Sequence, residues 1–222
     1  MVAQQALGLV VEEQLQNRMD NLSQKSVAII IFVRHPELGK VKTRLAKSIG
    51  NEKALQVYTK LLQHTLEITK SIDAAKFVFY TEEIQENDLW SEKGYWKCKQ
   101  KGTDLGERMK NAFSFLFEQG FKQVLIIGSD CYQLTSKAIE QAIKLLDESD
   151  LVLGPAVDGG YYLLGMSKLY SVLFENKTWS TDSVAAQTLQ DAEKLDLKVV
   201  QLQALFDVDE FDDLVASGMQ ID

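Results

Sequence analysis

Short apolar runs rich in β-branched and aromatic residues alternate along this chain with longer segments of helical period, and that alternation constrains the fold most. Val27–Arg34, Phe77–Thr81, Tyr95–Cys98, Val124–Gly128, Leu151–Leu153, Tyr161–Leu164 and Leu197–Leu202 read as strands. Residues 51–71 trace one helical face through Ala54, Leu55, Tyr58, Leu61, Leu62, Leu66 and Ile68. Residues 104–118 do the same through Leu105, Met109, Ala112, Phe113, Leu116 and Phe117. A polar helical segment is expected after the second strand, and further helices from Thr135 to about Asp147, near 182–193 and from Glu210. The pattern predicts an α/β fold with a mainly parallel central sheet and helices on both faces. In such sheets ligands bind beyond the carboxyl ends of the strands, where this sequence places its unusual residues.

At 222 residues the chain is near the upper end of what one hydrophobic core serves. Residues 26–222 are therefore expected to form a single domain, and residues 1–25 an extension outside it. A net charge of −8 argues against a broad nucleic-acid or anionic-membrane surface. The longest apolar run, Val27–Val33, is too short to cross a bilayer. No Lys or Arg precedes Leu7–Val11, and two glutamates follow it, so the start does not resemble a secretion signal. A cytoplasmic location is the resulting expectation. Cys98 and Cys131 match no zinc or redox spacing and are expected to pack.

The stretch after the first strand carries Arg34, Lys40, Lys42, Arg44 and Lys47 against the single acid Glu37, a reversal of sign in an acidic chain. Gly39 permits a tight turn there, and the loop runs into a helix start at Thr43, a setting that favours a di- or triphosphate. It is not a Walker A loop, because Val41 stands before Lys42-Thr43 where that motif needs glycine. A solvated basic turn accounts for the same residues equally well.

Asp130 ends a strongly apolar strand, and Asp207 and Asp209 point to one side of an extended segment. Carboxylates from two separate positions suit Mg²⁺ or Mn²⁺ when phosphates complete the coordination. Read singly, Asp130 is more often a helix-capping or turn residue, and Asp207 and Asp209 solvated acids before the helix at Glu210. Asp158-Gly159-Gly160-Tyr161 is either a hairpin turn or a carboxylate beside aromatic rings in an acceptor pocket. Asp104 reads as a helix cap with Glu107 three residues on, while Gly102 and Gly106 leave room near Leu105 for a base or ribose.

Taken together, Pro36, Gly39, Val41–Leu45, Asp104–Met109, Gly128–Cys131, Gly154–Ala156, Asp158–Tyr161 and Asp207–Asp209 resemble a known family in its order. It is that of the bacterial glycosyltransferase-like proteins related to phospholactate guanylyltransferase, some of which are named arsenosugar-biosynthesis glycosyltransferases. The likeness covers roughly residues 26 to 215. It implies a Rossmann-like GT-A fold of the nucleotide-diphospho-sugar transferase type that binds a nucleotide and a divalent metal. By that analogy Asp130 and Asp209 are metal ligands, with Asp207 beside them, and the loop of Lys42 and Arg44 holds phosphates. Two departures are Arg34, where relatives often carry lysine, and Tyr132, where they commonly carry proline.

Two chemistries follow as expectations. One is glycosyl transfer from a nucleotide-diphosphate sugar to a small-molecule acceptor, with Lys42 and Arg44 stabilising the departing diphosphate and Asp158 orienting or deprotonating the acceptor hydroxyl. The other is nucleotidyl transfer from a triphosphate to a phosphorylated small molecule. Neither calls for a nucleic-acid or membrane partner, and the sequence is silent on oligomeric state. A dehydrogenase reading fails for want of Gly-x-Gly-x-x-Gly after the first strand.

Overall fold

Val27–Val33 forms β1, with Ala28 to Ile31 wholly buried. A strand covered on both faces has no solvent side, so its sequence runs apolar without alternation. Each fully buried isoleucine contributes about 1.5–3 kcal/mol. The computed structural model of the chain describes residues 25–91 and 94–221. The expected extension over residues 1–25 lies, apart from Lys25, outside the described residues.

The remaining strands are β2 (Ala75–Tyr80), β3 (Tyr95–Lys99), β4 (Gln123–Ile127), β5 (Leu151–Pro155), β6 (Tyr161–Met166) and β7 (Val199–Gln201). They make one seven-stranded sheet in the order β3-β2-β1-β4-β6-β5-β7, parallel except for β6. The helices are α1 (Thr43–Ile49), α2 (Asn51–Lys70), α3 (Leu105–Glu118), α4 (Ser136–Leu145), α5 (Val184–Lys194) and α6 (Phe211–Ser217). α2 and α4 pack on one face of the sheet, and α3 and α5 on the other. The expected mainly parallel α/β architecture is the observed one.

Local chemistry sets the helix starts. Asp104 accepts the Glu107 N–H at 2.8 Å, and Thr135 accepts that of Ala138 at 3.2 Å. Glu107 departs from the simple capping box by reaching back to Thr103 N (2.7 Å) rather than to Asp104. The polar segment after β2 is not the expected helix but a loop with one 3₁₀ turn, Leu89–Ser91. Lys97 of β3 holds that loop, donating to Gln85 O (2.6 Å), Glu86 O (2.9 Å) and Asp88 Oδ1 (2.7 Å). Among the described residues no helix is long and apolar enough to cross a membrane.

Chain order reverses beside β1: β2 and β3 build outward on one side, and β4 returns to the other. Such a switch point opens a crevice at the strand ends. Ile31 pairs with Ile127, so the loop after β1 and the segment Gly128–Asp130 leave the sheet side by side.

Candidate active site

A cavity of about 690 Å³ lies at that switch point, within the range of small-molecule sites. The loop after β1 forms one rim. Tyr58 of α2 fixes its start, accepting from Arg34 N (2.8 Å) and donating to Arg34 O (3.1 Å). Gly39, at φ 76°, makes the turn closed by Lys40 N to Glu37 O (3.1 Å). Val41 is buried, and Lys42 then takes the left-handed conformation (φ 48°, ψ 44°) that launches α1. This backbone is unusual outside glycine, and it turns the Lys42 side chain inward.

The Lys42 ammonium lies 2.8 Å from Asp130 Oδ1 and 2.8 Å from Asp209 Oδ1, and its side chain is only 4% exposed. Arg44 pairs with the other oxygen of Asp209. Val208 N donates to Asp130 O (3.0 Å), which pins the Asp207–Asp209 segment against the end of β4. Burial opposes the charge on Lys42, but Asp130 and Asp209 outweigh it and raise its pKa. Burial likewise opposes ionisation of Asp209, and Lys42 and Arg44 outweigh it, holding the carboxyl below its ordinary range. Asp207 is pushed up to about 7, first by burial and then by the nearby Asp130.

Asp130 Oδ1 is buried and, although close to the ammonium, accepts no directed hydrogen bond. Its contact with Lys42 is ionic. A hard oxygen so placed, beside Asp209, fits a divalent cation that takes its other ligands from phosphate. Among the described residues no three His, Cys, Asp or Glu side chains are grouped to hold a metal alone.

The opposite wall comes from the β5–β6 hairpin and the start of α5. Asp158-Gly159-Gly160 lies in the turn between β5 and β6, and Asp158 and Gly160 line the cavity. Asp158 Oδ1 accepts the Gly160 N–H (2.9 Å), which orients the carboxylate. Gly159, at φ 89°, lies so close to the Asp182 backbone that a Cβ would overlap it. Tyr161 lines the cavity, its hydroxyl 3.5 Å from Met109 Sδ, and burial raises its pKa.

Arg34, Lys42, Thr43, Arg44, Leu105, Asp130, Asp158, Gly160, Tyr161, Asp207 and Asp209 all line this one cavity. Gly102 and Gly106 do not leave their space to a ligand. A Cβ on Gly102 would crowd Glu107 and the Arg108 N–H, and one on Gly106 would overlap the Trp179 indole. Their small size serves close packing within the chain. Tyr58, Thr81, Gln100, Arg108, Trp179 and Asp182 also line the cavity, none of them singled out as a site residue by the sequence. Arg108 lay within the Asp104–Met109 motif and was the one open to discovery there. For Trp179 the sequence leaves open whether the segment to Thr181 closes over the site or merely packs.

Comparison with known proteins agrees with this geometry. A solved structure of a candidate nucleotide-diphospho-sugar transferase from Desulfovibrio desulfuricans G20 is 33% identical over 86% of this chain and 85% of that one, with a TM-score of 0.80. The 4-diphosphocytidyl-2C-methyl-D-erythritol synthase of Anaerococcus prevotii shares the fold at 12% identity and a TM-score of 0.58, over 88% and 96% of the two chains. The 2-phospho-L-lactate guanylyltransferase of Methanocaldococcus jannaschii is 30% identical over 132 residues, 57% of this chain. That match spans only about half (54%) of the relative's length. A profile described as an uncharacterized protein conserved in bacteria (DUF2064) matches residues 64–181. The chain belongs to this bacterial family, as the resemblance in its motifs implies, and has the nucleotide-diphospho-sugar transferase fold.

Proposed function

We propose that the chain is a transferase that moves a glycosyl group from a nucleotide-diphosphate sugar to a hydroxyl of a small molecule with the aid of Mg²⁺ or Mn²⁺. The observation that carries this reading is the buried Lys42 between Asp130 and Asp209, with Arg44 alongside, at the switch point of the sheet. A metal on Asp130 and Asp209 would supply charge neutralisation for the diphosphate. Lys42 then exchanges its carboxylate partners for phosphate oxygens and, with Arg44 and Arg34, stabilises the departing nucleoside diphosphate. Asp158 takes the proton of the acceptor hydroxyl as its oxygen bonds to the sugar carbon and the sugar–phosphate bond breaks. Burial and the neighbouring Asp130 raise the Asp207 pKa in the ion-free site, and a cation on Asp130 and Asp209 would offset that charge repulsion. The two unpaired thiols, Cys98 and Cys131, suit the cytoplasm.

Nucleotidyl transfer is the second reading, favoured by the 30% identity to a guanylyltransferase and by the number of cations on the β1 loop. The products separate the two. Purified protein with Mn²⁺ is given nucleotide sugars, then nucleoside triphosphates with phosphorylated acids, and the released product is identified by chromatography. Free nucleoside diphosphate from a sugar donor upholds glycosyl transfer. Pyrophosphate release that depends on a phosphorylated acid replaces it.

A further inference from the structure

The cations lining the cavity lie to one side of it, interleaved there with Asp130, Asp207 and Asp209. Arg34, Lys40, Lys42, Arg44 and Arg108 come from the loop after β1, the start of α1 and α3. Arg108 is drawn toward the end of β3 by its Nε bond to Gly102 O (3.1 Å). The wall between Asp158 and Val184 contributes two carboxylates, Asp158 and Asp182, and no lysine or arginine. Lys177, just before Trp179, does not alter this. Its side chain is 1% exposed and paired with Asp191, and it does not line the cavity.

Besides Gly160, Tyr162 and Val184, the wall presents the aromatic and hydroxylic groups of Tyr161, Trp179, Ser180 and Thr181. Among the described residues the Tyr161 hydroxyl donates to the Met109 thioether, a weak acceptor that a ligand oxygen can displace. Gly106 lets the Trp179 ring sit close against α3 at the cavity edge. Carboxylates accept from hydroxyls, and an aromatic ring packs against the C–H face of a polyol. A phosphate or carboxylate would instead face like charge from a wall that itself contributes no lysine or arginine.

We propose that the group held against this wall is uncharged and rich in hydroxyls, and that the wall rejects phosphorylated or carboxylated groups. The inference rests on reading the cavity as a nucleotide-donor site. It sets this chain apart from the Methanocaldococcus relative, whose name specifies a phosphorylated acid.

The test keeps base and phosphates constant and changes only the charge of the distal group. The full chain with Mn²⁺ is titrated calorimetrically with UDP, UDP-glucose and UDP-glucuronate, and with GDP, GDP-mannose and GDP-mannuronate. In the series that binds, the neutral sugar nucleotide should bind at least as tightly as the plain diphosphate, and the uronate about tenfold more weakly than the neutral sugar. The double variant Asp158→Asn/Asp182→Asn should narrow that gap to about twofold while it still binds the plain diphosphate, which reports folding. A uronate bound as tightly as the neutral sugar overturns the inference, as does a gap that survives in the double variant. If UDP, GDP, ADP, CDP and TDP all fail to bind, the donor reading fails and the inference falls with it. Diphosphates that bind without a charge penalty sink the inference alone.

Discussion

The loop after β1 and the wall from Asp158 to Asp182 face each other across one cavity and are built by opposite means. The loop brings its cations together through backbone geometry: a left-handed lysine, a glycine turn and a tyrosine clamp on Arg34. The wall is shaped by steric contact instead, with Gly159 against the Asp182 backbone and Gly106 beneath Trp179. The loop's side chains are already paired with carboxylates, whereas the described residues give Tyr161 no partner beyond a sulfur. One side has to exchange partners when ligand arrives. The other only has to receive it.

The sharpest way to break this comparison is to remove a carboxylate that the loop pairs with. Asp209→Asn leaves Lys42 and Arg44 with excess positive charge and takes away a hard oxygen. Turnover should fall by about 10²–10³ and the dependence on Mn²⁺ should flatten, as seen in initial rates across a metal titration. Variants with full metal-dependent turnover would remove Asp209 from the site. Lys42→Met tests the exchange itself. With the internal cation gone, Mn²⁺ alone should bind about tenfold more tightly, while pyrophosphate binds about tenfold more weakly. Equal Mn²⁺ affinity in the two proteins, read by electron paramagnetic resonance of free Mn²⁺, would mean that Lys42 does not compete with a metal.

Gly106→Ala acts on the wall. The new methyl group overlaps the Trp179 indole, and overpacking of this kind costs about 1–3 kcal/mol unless the ring leaves. Displacement of Trp179 should alter its fluorescence and weaken sugar-nucleotide binding without changing pyrophosphate affinity. An equal loss for both ligands would show that the two sides are not separable.

How much of this was legible in the sequence differs between the same two regions. β1 reads directly from its unbroken apolar run because both faces of the strand are covered. The Asp104 and Thr135 caps read from local chemistry, and the basic loop from its reversal of charge. The bridging of Asp130 and Asp209 by Lys42 has no local signature. It arises from the β1–β4 pairing and the single bond from Val208 N to Asp130 O. The Trp179–Gly106 contact is likewise made only by tertiary packing, so both glycines of that segment looked available to a ligand. The loop after β2 reads as helical from its polar pattern for a related reason: the lysine that holds it lies on the next strand.

The smallest expected effect concerns the anchor of the wall rather than its surface. Lys177 is almost wholly buried and depends on Asp191, which also accepts from Lys194 at 2.9 Å. The hydrogen bonds from Lys177 and Lys194 hold the Asp191 carboxyl below its ordinary range. A carboxylate with a depressed folded pKa contributes stability that is present above its unfolded pKa, near 4, and disappears as pH falls through the folded value. Asp191→Asn leaves a buried ammonium without its counter-charge, and at pH 7 this should lower stability by about 1–2 kcal/mol. The difference from wild type in urea denaturation should shrink steadily below pH 4. A difference that is the same at pH 3 and pH 7 would mean that the anchor works through packing of the Asp191 side chain and not through its charge. Because Lys177 lies just before Trp179, the result also decides whether charge or shape positions the wall.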